Sequence, residues 1–419
     1  MTTTSTGAQA APRASSRLLH PDPTVRRLAL ITLVNTLGNG LFMALGALYF
    51  TRVLGLPTAR VGIGLTAAGL CGVLIGVPAG RAADRWGTKP VLLVLVAAEA
   101  VGTACYPLVS GFVPFLLLAC AVTAADRGTA TVRNALYAEI LPPDRRVAGR
   151  AYLRVVTNVG IGVGTGLAAL VLVADSRPAY TAAILADVAT FAVVVLMYAL
   201  LPTPQTGPSA SAEDADRRTG SALRNVPYLV VAGLSGALGL QFAMIEVGVP
   251  LWIVNHTDAP RFVVSCTLVV NTVLVVALQV RATRGTEEPT AAARIFRRGG
   301  LLVALSCAAF ALAGGLPGWA AVLVLLAGAA LQALGEVLGQ AAGWALGYDL
   351  AEEGAHGEYQ GVFNTGFSGA MMLGPVLITT AVIGHGAAGW AGLALLFAAA
   401  SAAMVPAVGW ALRRKAAAA

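Results

Sequence analysis

The stretch GRAADRWGTKP, residues 80–90, sets charged side chains at Arg81, Asp84, Arg85 and Lys89 between two runs, 61–79 and 91–109, that are almost wholly apolar. A helix needs roughly 20 mostly apolar residues to cross a hydrocarbon core about 30 Å thick, because every backbone polar group must find its partner inside the segment. Each flanking run has that length. The charged stretch therefore reads as a turn between two membrane helices, and it gives the ruler for the rest of the chain.

Measured with that ruler, the first half holds runs at 28–50, 61–79, 91–109, 112–141, 147–173 and 180–201. The second half holds runs at 228–254, 262–280, 299–316, 319–346, 362–383 and 390–412. The expectation is an all-α polytopic membrane protein with 12 transmembrane helices in two pseudo-symmetric six-helix bundles. Composition agrees: of 419 residues 57% are hydrophobic and 11% charged, and the mean hydropathy is +0.76, a balance foreign to soluble domains. The expected division is a disordered cytoplasmic segment at 1–25, a bundle at 26–201, a linker at 202–227, a second bundle at 228–412 and a tail at 413–419. The linker, PTPQTGPSASAEDADRRTGSALRNVP, is the longest polar connection inside the chain. Residues 1–25 have no signal-peptide pattern, so the first helix is expected to remain as an anchor.

An even helix count puts both termini on one side. The connections on that side hold Arg13, Arg17, Arg26, Arg27, Arg81, Arg85, Lys89, Arg145, Arg146, Arg150, Arg217, Arg218, Arg224, five arginines from 281 to 298, and Arg413, Arg414 and Lys415. The opposite loops hold Arg52, Arg60, Arg177 and Arg261. By the positive-inside rule the rich side, with both termini, faces the cytoplasm, and the net charge of +8 is topology, not a nucleic-acid patch. Two lysines beside 26 arginines, with abundant Ala, Gly and Val, point to a GC-rich bacterial genome and so to the inner membrane.

The opening stretch matches G-x-x-x-D-R-x-G-x-K through Gly80, Asp84, Arg85, Gly87 and Lys89, and in this it resembles motif A of the major facilitator superfamily. The likeness extends to helix count, inward termini and central linker. It implies secondary transport from a site between the halves, exposed to each side in turn. It also implies that Asp84 latches the cytoplasmic end against the eleventh helix, starting near Gly357, and against a basic residue of the fourth, for which Arg133 is the candidate. A weak internal repeat, TNVGIGVGTGL against FNTGFSGAMMLGP, supports two related halves.

The resemblance implies a cavity lined by helices one, four, seven and ten. The unusual polar residues fall there: Asn35 and Asn39, Asp126 and Arg127, Glu246, and Gln332, Glu336 and Gln340. Charges at that depth cost about 2.5–3.5 kcal/mol on insertion scales, so they face partners or a wet cavity. Asp126, Glu246 and Glu336 are candidate proton sites, whereas Glu99 and Asp187 read as structural. Adjacent helical residues point about 100° apart, so Asp126 and Arg127 are each expected to meet a partner elsewhere. Gly160, Gly162, Gly164 and Gly166 form two overlapping G-x-x-x-G pairs for close helix packing. Drug antiporters of the superfamily carry Gly-Pro in a glycine-rich motif there. This chain has the glycines without the proline, and its Gly-Pro falls at Gly374 and Pro375.

The function expected is proton-coupled efflux of an amphiphilic or cationic molecule by a monomer, with the bilayer and a small-molecule substrate as partners. Few positive cavity residues are visible, which weighs against the alternative of a proton-coupled importer of a sugar or organic anion. A transport-inactive receptor with the same fold is the other class. Neither a phosphate-binding loop nor metal-ligand spacing is present, and the five cysteines lie in apolar runs, so no enzyme, cofactor or metal is expected, and the proton is the coupling ion.

Overall fold

The structure, a computed structural model, describes residues 22–174, 176–202, 221–352 and 354–418. Most of the segment expected at 1–25 and of the linker expected at 202–227 lies outside these residues. Twelve apolar helices run through the described residues: α1 (Pro23–Leu48), α2 (Thr58–Trp86), α3 (Thr88–Cys105), α4 (Phe112–Ile140), α5 (Arg146–Ala174), α6 (Arg177–Ala199), α7 (Val226–His256), α8 (Val263–Leu278), α9 (Pro289–Ala313), α10 (Gly318–Asp349), α11 (His356–Thr380) and α12 (Gly384–Ala417). Eleven are long enough to cross a membrane, and α8, with 16 residues, is the short one.

Local chemistry fixes the ends. Asp22 accepts from the Thr24 amide at 2.8 Å and so caps α1, and Asn225 accepts from the Tyr228 amide at 3.3 Å and caps α7. Between α2 and α3 the chain reverses through Gly87 at φ 91°, a left-handed conformation that side-chain-bearing residues avoid. Near its start α12 kinks at Gly386, with φ 57° and ψ −131°. The ninth helix starts earlier than its apolar run. Pro289 takes the first turn, where its missing N–H costs nothing, and the helix carries Arg294, Arg297 and Arg298 before the oily stretch begins. Within α7 the hydrogen bonding widens to a π turn over Met244–Gly248, just before Pro250, and this turn holds Glu246.

Two sets of helices emerge from where the apolar residues go. One core is drawn wholly from the second half, from Ala222 to Ala411. The first half buries two clusters of its own, one around Leu28, Leu92 and Leu136, the other around Tyr49, Phe115 and Ile184. Between them lies a polar layer that includes Glu99, 5% exposed, and Asp187, 2% exposed. The halves meet chiefly where α2 packs along α11. Gly80 and Gly76 of α2 lie against Gly357 and Gly361 of α11 so closely that a Cβ on Gly80 would overlap the Gly357 carbonyl oxygen, and one on Gly76 would overlap the Thr365 hydroxyl and crowd the Gly361 carbonyl. Small residues are what permit such backbone approach.

Candidate functional site: a cavity between the bundles

The end of the molecule carrying the α2–α3 turn, here termed the basic end, is closed by a set of polar contacts between the halves. The Asp84 carboxylate accepts from the Gly357 amide and from the Glu358 amide, each at 2.7 Å. These are first-turn N–H groups of α11, unsatisfied by the helix and at its positive pole. Arg81 pairs with Glu358 at 3.1 Å. Asn134 of α4 donates to Asn364 of α11 at 3.2 Å, and Thr365 donates to the Val73 carbonyl of α2 at 3.4 Å. Arg150 of α5 donates to the Tyr348 hydroxyl of α10 at 3.1 Å, and that hydroxyl donates to the Asn134 carbonyl at 3.3 Å.

The other motif residues divide their work. Lys89 donates to the Ala199 and Leu201 carbonyls at 2.9 and 2.7 Å, tying the end of α6 to the turn. Arg85 is exposed. Arg133 is not placed against Asp84 as expected. It stands seven residues, or about 10 Å of helix rise, before the end of α4, beside Tyr137, Tyr198, Asp126 and Glu99. The α4 residue that reaches the turn is Glu139, which accepts from the Thr88 hydroxyl at 2.6 Å.

Above this seal lies a cavity of about 310 Å³ between the bundles, with Asn35 and Asn39 of α1, Arg127 of α4, and Gln340 of α10 among its walls. Four arginines line it: Arg127, Arg133, Arg150 and Arg154. Among the described residues no aspartate or glutamate is part of the lining. The expected scarcity of positive charge is thus corrected. The unforeseen half comes from α5, where Arg146, Arg150 and Arg154 recur every fourth residue along one helix face; the sequence reading places Arg150 in the loop and assigns Arg154 no role. That spacing is visible in RVAGRAYLR and would have betrayed the stripe. Aromatic walls alternate with the cations. The Arg150 guanidinium lies 4.9 Å from the Trp344 ring centre and 5.5 Å from that of Tyr348, and Arg154 lies 5.9 Å from that of Phe242.

The candidate acids stand behind or beside the lining. Asp126 and Arg127 do pair, contrary to expectation, at 3.5 Å. The flexible guanidinium stem reaches back along its neighbour through Nε, and both side chains are about two-fifths exposed. Glu336, 4% exposed, sits in a cage of amides: Asn271 and Gln332 donate to one oxygen at 2.9 and 3.3 Å, and Gln340 to the other at 2.9 Å. Gln332 also donates to Gln241 at 3.3 Å, which links α10 to α7. Asn271, on α8, was missed because one asparagine in an oily run carries no periodic signal. Glu246 is exposed and shares the electrostatic field of Arg154 with Glu336.

The four glycines of α5 separate into two faces. Gly160 and Gly164 press on α1, where a Cβ would overlap the Thr36 hydroxyl and the Leu37 carbonyl oxygen, whereas Gly162 and Gly166 have nothing within 4 Å.

Two helical bundles enclosing a charged cavity sealed at one end define a membrane transporter. The family model of the Major Facilitator Superfamily matches residues 28–375, and the chain belongs to that superfamily. Among solved structures it is similar to the human organic anion transporter MFSD10 (TETRAN), at 17% identity and TM-score 0.69 over 91% of this chain and 100% of that one. It is also similar to a bacterial homologue of the iron transporter ferroportin in its outward-facing state, at 12% identity and TM-score 0.70 over 94% of this chain and 100% of that one. No curated protein matches it. The chain is a transporter of a small molecule across a membrane, not an enzyme.

Proposed function

We propose that the protein exports a small amphipathic organic anion across the inner membrane by alternating access, as a monomer, with both termini cytoplasmic. The observation that carries this reading is the set of four arginines lining the cavity with no carboxylate among them. Two like charges 4 Å apart repel by about 4 kcal/mol at an effective dielectric of 20, so a cationic drug is disfavoured there and an anion drawn in. Tyr137, Phe242, Trp344 and Phe367 supply apolar faces for the rest of the molecule.

Direction follows from electrostatics of the membrane. A potential negative inside favours anion exit by about 2.3 kcal/mol per charge for every 100 mV. Proton coupling is assigned in this reading to Glu246, which has no amide cage around it among the described residues and lies in the field of Arg154, in preference to Glu336, whose oxygens are held by amide donors. Asp126, paired with Arg127, is the second candidate.

The test is flux in proteoliposomes, with carboxyfluorescein as the anionic probe and ethidium as the cationic one. The expected result is protein-dependent movement of carboxyfluorescein that reverses with the imposed potential. Movement of ethidium without carboxyfluorescein overturns the assignment.

A further inference from the structure

We propose that Arg150 and Arg154 together seat the anionic group of the substrate while the basic end is open, and that closing this end hands Arg150 to Tyr348 and releases the anion to the other side, so that a bound anion and the Arg150–Tyr348 tie exclude one another. The inference rests on the anionic-substrate reading and narrows it to aromatic carboxylates or sulfonates.

Arg150 and Arg154 lie one turn apart on the same face of α5, about 6 Å along the axis, and both line the cavity. Two guanidinium forks so spaced suit a group with two or more anionic oxygens. The Nε of Arg154 is buried without a hydrogen-bond partner. Arg154 has Glu246 and Glu336 in its field, yet forms an ion pair with neither among the described residues. Arg150 has no carboxylate partner among the described residues, and its one hydrogen bond goes to a neutral hydroxyl, that of Tyr348 at 3.1 Å. A carboxylate or sulfonate oxygen is a stronger acceptor for a guanidinium than a phenol, so an anion that enters while the basic end is open holds Arg150. The flat body then lies between Trp344 and Phe242, the rings that already flank the two cations.

That exchange touches the seal. The bond from Arg150 to Tyr348 joins α5 of the first bundle to α10 of the second, and the same hydroxyl continues to the Asn134 carbonyl on α4. While an anion holds Arg150 in the cavity this tie between the halves cannot form, and once the tie forms the anion has lost one of its two forks. Differential binding of this kind is what lets a ligand shift a conformational equilibrium.

The experiment measures carboxyfluorescein binding to the purified full chain by fluorescence anisotropy, and the separation of the basic ends by spin labels at positions 85 and 413. Wild type is expected to bind the probe and to lengthen the label distance when it does. Arg150→Lys and Arg154→Lys, which keep the charge and lose the fork, are expected to weaken binding at least tenfold while remaining monodisperse. Tyr348→Phe is expected to bind the probe and to populate the long distance without it. Lysine variants that bind as wild type does, or a Tyr348→Phe protein that still needs the probe to open, overturn the proposal and leave anion transport standing. A wild type that neither binds nor moves carboxyfluorescein overturns the anionic reading as well.

Discussion

The Asp84 carboxylate and the Gly357 amide meet across the two bundles at 2.7 Å, with the Glu358 amide on the second oxygen at the same distance. One side chain from α2 thereby completes the first turn of α11. Asp84→Asn keeps one acceptor and loses both the charge and the second bond. Bonds to charged groups contribute about 1.5–3 kcal/mol, so the closed form should fall about tenfold relative to the open one. Rates of maleimide attack on a cysteine placed in the α2–α11 seam would read this directly.

Gly80 presents its bare backbone to the Gly357 carbonyl. Gly80→Ala puts a methyl where that oxygen lies, and backbone cannot yield as a side-chain tip does. Overpacking of this sort costs about 1–3 kcal/mol. The variant should insert and fold, yet transport should drop tenfold or more because the seal no longer forms. Flux normalised to inserted protein is the measurement.

The glycines of α5 offer an internal control. Gly160→Ala and Gly164→Ala push a methyl into α1, at about 1–3 kcal/mol each, whereas Gly162→Ala meets nothing within 4 Å. Thermal unfolding in detergent should separate the first two, with lowered melting temperatures, from the third, with a melting temperature at or above wild type.

Glu336 and Glu246 should part company on substitution. Glu336→Gln turns an NH2 towards the amide donors of Asn271, Gln332 or Gln340, leaving at least one bond unmade at about 1–3 kcal/mol. Its expected signature is lost thermal stability. Glu246→Gln leaves stability unchanged and flattens the pH dependence of flux. A flat profile in the Glu336 variant alone would reverse the assignment of the proton.

The orientation is testable by itself. Cysteines at the exposed positions 85 and 413 should react with a membrane-impermeant maleimide only from the cytoplasm, and a cysteine at position 60 only from the other side. Labelling of 85 and 413, but not of 60, from outside the cell would invert the molecule.

Much of this architecture was legible because bilayer thickness imposes a length on every helix, and the length shows in the sequence. Asp84 was legible for a related reason: a carboxylate at the end of an oily run must find donors, and the start of another helix has them free. The cavity charge was not legible. Arg150 sits four residues past the start of α5, and near a helix end a loop arginine and a cavity arginine have the same sequence neighbourhood. Only the recurrence with Arg154, four residues on, distinguishes them. Arg133 misled for the opposite reason: its place in the bundle depends on Tyr137 and Tyr198, one on its own helix and the other 65 positions away on α6.

The brevity of α8 matters to the lipid around it. Sixteen residues rise about 24 Å, short of a hydrocarbon slab about 30 Å thick. Acyl chains beside α8 must therefore compress, and the deformation is least where the bilayer is thin. The transporter should turn over fastest in short-chain lipids and slow as chains lengthen, so that membrane composition itself sets its rate.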